Sequence, residues 1–275
     1  MTQRKNEKGF TLVELAIVLV IIGLIISGVL VGQDLIKAAE IRAVVSDVER
    51  YNAAANTFRS KYGGVPGDLQ AQRATNFGFD AGDGTAGASD GSSLVESCVA
   101  NGAGIGCETA LFWIHLSQAS LISDSFTVGG NNIADGDSGP PAAVNTTALA
   151  QDIWPAGRLR DTAFFHVFPA NGRNHFALAN YTATMADPGV ITSSAAITTI
   201  ESQNIDDKLD DGYPTTGGVR AISAITAAAG YTQDAGAASA TGVCVNTGTT
   251  PDSYNTASDV FANEMNCQLV MRASF

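Results

Sequence analysis

Positive charge is scarce in this sequence. Lysine and arginine number 15 of 275 residues, against 27 aspartates and glutamates, for a formal net charge of −12. Nucleic-acid binding needs clustered lysine and arginine to replace counterions along the phosphates, so no nucleic-acid partner is expected. Charge of either sign is sparse as well, at 15% of residues, where about 25% is usual. Histidine occurs three times and cysteine four times. No Cys-x-x-Cys pair occurs, which argues against a structural zinc site. Hydrophobic residues make up 45% of the chain, which excludes a disordered polymer and allows a sizeable core.

The most informative absence is local. From Leu15 to Gly32 there are 18 residues without a charge, and Ser27 is the one side chain among them that is neither aliphatic nor glycine. As a helix this run covers about 27 Å, close to the hydrocarbon thickness of a bilayer. Arg4, Lys5 and Lys8 precede it, so the positive-inside tendency places the N-terminus in the cytoplasm and the rest of the chain beyond the membrane. A secretory signal peptide and a plain single-span anchor are the simplest readings. The run exceeds the roughly 7–15 apolar residues of a signal peptide, and it enters an amphipathic pattern with no small-x-small cleavage site. Neither reading accounts for Glu14 at the head of the run. A charged carboxylate at membrane depth costs roughly 2–3 kcal/mol or more.

The stretch Gly9-Phe10-Thr11-Leu12-Val13-Glu14-Leu15, between a short basic leader and an aliphatic run, resembles the N-terminus of type IV prepilins and type II secretion pseudopilins. The resemblance implies a leader at 1–9, cut after Gly9 on the cytoplasmic side by a prepilin peptidase. It implies methylation of the new amino group on Phe10 and makes Glu14 an assembly residue. The implied precursor sits in the bacterial inner membrane with its head in the periplasm. Inner-membrane machinery then builds it, by self-assembly, into a helical filament. The implied role is a structural one without catalysis: a pilus subunit, or alternatively a secretion pseudopilin or a minor tip pilin acting as an adhesin. The chemistry is coherent, because an α-amine with a pKa of about 8 is mostly protonated. The Phe10 amine of one subunit and Glu14 of its neighbour then offset two charges that are each costly in lipid. One departure is at Val31, where many type IVa pilins have proline. Here Gly23, Gly28 and Gly32 weaken the helix instead, by about 1 kcal/mol each relative to alanine.

After Gln33 the helix pattern becomes one-sided. Ile41, Val44, Val48, Tyr51, Ala55, Phe58 and Tyr62 follow alternating spacings of three and four, which predicts a single buried stripe. Glu40, Arg42, Asp47, Glu49, Arg50, Arg59 and Lys61 are assigned to a solvated face. The stripe fits packing on the chain's own head; a coiled-coil seam is the other possibility. Gly63-Gly64 and Pro66 end the helix. One helix over 10–62, apolar in 10–33 and amphipathic in 34–62, is about 80 Å long. Removing residues 1–9, with three basic residues and one acidic, leaves 26 acidic and 12 basic residues. Residues 10–62 hold five of each, so the acidic excess lies on the head.

The head, residues 63–275, is expected to be a short antiparallel sheet with extra loops and helices, giving an α+β, pilin-like fold. Helices are predicted at Thr109–Ile122 and at Ser193–Leu209, the latter with Ile197, Ile200, Ile205 and Leu209 on one side. Strands are predicted at Phe164–Phe168, at His175–Thr184 and at Gln268–Arg272, with a turn at Pro169-Ala170-Asn171-Gly172. Gly-, Ala-, Asp- and Ser-rich loops fill 78–106, 129–148 and 227–252. Cys98, Cys107, Cys244 and Cys267 lie beyond the membrane, where disulfides are the default. The favoured pairing is Cys98–Cys107 with Cys244–Cys267, each adding roughly 3 kcal/mol; the other two pairings stay open. Asp206, Asp207, Asp210 and Asp211, at a helix end before Gly212, form a candidate calcium site, and Asp80, Asp83 and Asp90 a further acidic group. A solvated acidic surface is the default reading of both groups. No other cofactor is expected. His115, His166 and His175 lack metal-ligand spacing; His115, in an apolar helix, and His166, between phenylalanines, are assigned to packing or surface. Gly87-Ala88-Ser89-Asp90-Gly91 has the G-x-S-x-G pattern of serine hydrolases but lacks the preceding strand which that chemistry requires.

Overall fold

The computed structural model describes residues 11–81, 89–96, 108–126, 151, 153–181, 192–222, 225–226, 244–246, 250–256 and 265–275. The first element, α1 (Leu12–Tyr62), is a helix of 51 residues. Two compact units meet within it, at the Glu40/Ile41 boundary. In the first unit the helix has no proline and is rich in aliphatic side chains. It is long and apolar enough to cross a membrane. Its large apolar residues lie open, from Leu12 at 87% to Ile22 at 47% exposed. Nothing within this unit covers that surface.

In the second unit α1 is one-sided. Ile41, Val44, Val48, Tyr51, Ala54, Ala55 and Phe58 are buried, and Tyr62 is partly buried against the same core. The stripe therefore packs on the chain's own head. One assignment to the solvated face is corrected. Asp47 is buried, because Arg50 and Arg158 reach its two oxygens at 3.0 and 3.2 Å and offset its lost hydration. Helix α1 stops where Gly63 takes a φ of +75° and its amide returns to the Arg59 carbonyl at 2.9 Å, the usual left-handed termination.

A short helix the sequence pattern did not indicate, α2 (Ala71–Phe77), follows. Helix α3 (Glu108–Gln118) is buried at every residue from Glu108 to Leu116. It ends before the predicted Ile122, because Ser120 adopts a φ of +54°. The Leu121 and Ser120 amides there return to the carbonyls of Leu116 and Ser117, as in a Schellman end. Tyr51 stands edge-on to Trp113 and to Phe165, with ring centroids 4.8 and 5.3 Å apart. These contacts join α1 to α3 and to the sheet at the centre of the core.

The sheet begins with a hairpin, β1 (Ala163–Ala170) and β2 (Arg173–Tyr181). Its loop is Asn171-Gly172, with φ values of +49° and +68°. Two consecutive left-handed residues match the twist of paired strands, and Asn-Gly suits them. Along β2's other side lie β9 (Met265–Arg272) and then β3 (Thr192–Ser194). Strand β9 also pairs with β4 (Ile197–Thr198) and β5 (Val219–Ile222), and β3 with β6 (Ile225–Thr226). All of these pairings are antiparallel. A separate pair joins β7 (Val245–Asn246) to β8 (Ser253–Tyr254).

The helix predicted from Ser193 begins instead at Thr199, as α4 (Thr199–Leu209). Thr198 caps it, and Glu201 returns the bond to the Thr198 amide, forming a capping box that fixes the start. Ile200 is 39% exposed, so it does not share the buried side of Ile205. Arg160 grips Glu201 with two bonds, at 2.9 and 3.3 Å. A long apolar N-terminal helix with a head of antiparallel sheet and additional helices is the α+β, pilin-like organisation.

Candidate functional site

The assembly motif begins at the edge of the described residues. Gly9 and Phe10 lie outside them, and Thr11 and Glu14 lie inside. The Glu14 Oε2 accepts the Thr11 amide and the Thr11 hydroxyl, both at 2.8 Å. In return the Thr11 hydroxyl accepts the Glu14 amide at 3.3 Å. This reciprocal pair is a capping box at the first turn of α1, where a carboxylate also meets the positive end of the helix dipole. The carboxylate is thereby oriented at the helix start, bonded to Thr11, the residue next to the Phe10 end of the processed chain that the motif implies. The spacing Thr-x-x-Glu before an apolar run carries this signal, which the reading of Glu14 as a membrane charge overlooked.

Residues 4–30 match the family model described as the prokaryotic N-terminal methylation motif. The chain carries the type IV pilin and pseudopilin signature. The motif supports a processed subunit of pilin or pseudopilin type, and the apolar helix behind it fits membrane anchoring of the precursor. No curated protein and no solved structure matches the chain.

Elsewhere in the chain, Cys244 and Cys267 form a disulfide, with Cα atoms 5.4 Å apart. Both are buried, and the bond ties the β7–β8 pair to β9. Cys98 and Cys107 lie outside the described residues.

Three of the four carboxylates proposed for calcium come together. Asp206, Asp210 and Asp211 offer oxygens within 4.8 Å of one another, a group that does not include Asp207. Asp206, in the last turn of α4, is buried. Its Oδ2 accepts the Tyr254 hydroxyl at 2.9 Å, and its Oδ1 receives no hydrogen bond. Burial pushes the Asp206 carboxyl up to about 7. The 212–218 turn wraps the other two. Asp210 Oδ2 accepts the amides of Gly218 and Val219, while Asp211 accepts the Tyr213 amide at 3.0 Å and the Thr216 hydroxyl at 2.7 Å. Gly217 has a φ of +69°, and a Cβ there would strike Asp210 Oδ2, so the turn requires glycine.

The other acidic group divides. The Asp80 carbonyl accepts His115 Nε2–H at 2.7 Å, and its carboxylate accepts the Gln118 amide group at 2.7 Å. Asp83 lies outside the described residues. Asp90 instead joins Asp68 and Glu108, with oxygens within 4.8 Å of one another. Neither Asp68 nor Glu108 was identified from the sequence, because no local spacing links residues 40 positions apart.

All three histidines are buried, so of the two alternatives for His115 and His166 the structure gives packing. His115 accepts the Gly67 amide on Nδ1 at 2.9 Å, so both ring nitrogens are occupied by backbone. His166 has no hydrogen bond on either nitrogen and meets the Trp154 ring edge-on at 4.5 Å; burial pushes it down to about 4. His175 Nδ1 donates to the Arg173 carbonyl at 3.1 Å. Ser89, of the G-x-S-x-G pattern, is buried and donates its hydroxyl to the Gly67 carbonyl at 3.2 Å.

Proposed function

We propose that this chain is the structural subunit of a type IV pilus-like filament, without catalytic activity of its own. Prepilin peptidase cuts between Gly9 and Phe10 and methylates the new amine. The apolar half of α1 then leaves the inner membrane for the filament interior, and Glu14 meets the Phe10 amine of a neighbouring subunit. The observation that carries this reading is the coincidence of the methylation motif with an aliphatic helix surface that nothing in its own unit covers. Removing that surface from water and lipid by bundling with copies of itself is the simplest way to bury it. Glu14→Val tests the pairing: filament yield should fall to background while the precursor accumulates in the membrane. Wild-type filament levels would refute it. A secretion pseudopilus and a minor tip adhesin share this chemistry. Fibres reaching the cell surface separate the first from a pilus, and copy number per filament separates the second.

Asp206, Asp210 and Asp211 are proposed to hold a calcium ion. The favouring observation is Asp206 Oδ1, buried without a hydrogen bond among converging oxygens, since calcium takes carboxylate oxygens in flexible loops. Calorimetry with calcium decides it. A melting shift at millimolar calcium, lost in Asp210→Asn, supports the site, and no shift removes it.

A further inference from the structure

The 89–96 segment is fastened to the head through two buried carboxyl groups. Asp68 follows α1, and Glu108 opens α3. Asp68 accepts the Gly91 amide on Oδ1 at 2.6 Å and the Ser93 amide on Oδ2 at 2.5 Å. Glu108 accepts the Ser89 amide on Oε1 at 2.6 Å and the Glu96 amide on Oε2 at 2.7 Å. Four amides of one short segment thus end on two side chains. Asn174 of β2 adds two neutral contacts, accepting the Val95 amide and donating to the Ser93 carbonyl. The oxygens of the two carboxyl groups and of exposed Asp90 lie within 4.8 Å of one another.

Both carboxyl groups are buried, and two like charges this close disfavour ionising together, so one of the pair favours keeping its proton. No basic side chain is at hand to take the proton's place. From Ala74 to Gly157 the sequence contains no lysine or arginine, and among the described residues neither carboxyl forms an ion pair. The titratable groups around the pair are Asp90 and Glu96 on the segment and His115 on α3. Asp90 adds repulsion. His115 is committed to the Gly67 amide and the Asp80 carbonyl, and burial pushes its pKa down. Burial also pushes Glu108 up to about 9, and Asp68 in the same direction, against the pull of the four amides.

We infer that Asp68 and Glu108 share one proton, and that this proton latches the 89–96 segment to the junction behind the long helix as a pH-sensitive catch. With the proton in place, the pair carries one charge over four oxygens, each solvated by an amide. Without it, two like charges face one another inside the head. The segment between them has no helix or strand of its own, so it is the part that yields.

The test uses the full chain in detergent micelles. The infrared carbonyl stretch of a protonated carboxylic acid, which carboxylates lack, is recorded at neutral pH for wild type and for Glu108→Gln. Limited proteolysis at pH 7 and at about pH 10, above the Glu108 value, follows the segment directly. The acid band should be present in wild type, weaker in Glu108→Gln and bleached at about pH 10. Cuts within 89–96 should appear in wild type only at the higher pH. Glu108→Gln keeps a donor toward Asp68 while losing one amide contact, so its cutting should not change with pH. Should that variant fail to fold, the wild-type titration alone is decisive. Absence at pH 7 of the part of the acid band that Glu108→Gln removes, equal cutting of wild type at both pH values, or loss of that same part on adding calcium at pH 7 would each overturn the proton catch, the last by showing that a cation joins the pair.

Discussion

Thr11 and Glu14 close a reciprocal pair of hydrogen bonds at the first turn of α1, and both bonds to the carboxylate fall on Oε2. Glu14 therefore has a task within its own subunit before any neighbour arrives. It completes the helix start, and the same geometry holds its carboxylate at the end that assembly must use.

Two roles in one side chain can be separated by substitution. Glu14→Gln keeps a capping acceptor at the same position but removes the charge. It should leave protection of the first-turn amides intact in hydrogen exchange and still abolish filaments. Thr11→Ala removes the cap and keeps the charge. It should weaken the helix start by about 1 kcal/mol and lower filament yield without eliminating it. Filaments from Glu14→Gln at wild-type yield would show that capping, not charge pairing, is the needed property.

The Tyr51–Trp113 contact joins α1 to α3 in the middle of the core, and both rings are buried. Trp113→Ala should destabilise the head by about 3–5 kcal/mol, through lost burial and an unfilled cavity. Ile200→Ala, at a partly exposed site, should cost less than about 1 kcal/mol. Chemical denaturation of the two variants gives the comparison.

His166 makes stability sensitive to acid. An unfolded histidine takes up a proton near pH 6.5, but burial lowers His166 to about 4. Between those values the unfolded chain binds a proton that the folded chain refuses. Stability from this group is therefore complete above about pH 7 and falls as pH drops toward 4, by about 3 kcal/mol in all. His166→Leu should flatten that part of the pH–stability curve. An unchanged slope would locate the acid sensitivity elsewhere.

The Cys244–Cys267 bond spans a sequence separation of 23. Replacing both residues with alanine should cost roughly 3 kcal/mol, mainly by freeing the unfolded chain. The shift in denaturation midpoint measures it.

Elements with strong local signals were legible in the sequence. The apolar run and the Ile41–Phe58 stripe needed only periodicity, and the β1–β2 hairpin needed its Asn-Gly loop. The start of α4 was misplaced because β-branched Thr192, Ile197 and Thr198 pair with distant strands, which outweighs a helical spacing of isoleucines. Asp47 was assigned to solvent because its partner Arg158 lies 111 positions away. The Asp68–Glu108 pair was invisible for the same reason, since its chemistry is made by tertiary contact. The two capping boxes, Thr11/Glu14 and Thr198/Glu201, were present in the letters and went unused.

Mass spectrometry of the mature N-terminus reaches the centre of the account most directly. Material taken from assembled fibres should begin at Phe10 and carry a methyl group on that residue's amine. A chain that keeps residues 1–9, or that begins at an unmodified residue further along, would contradict it.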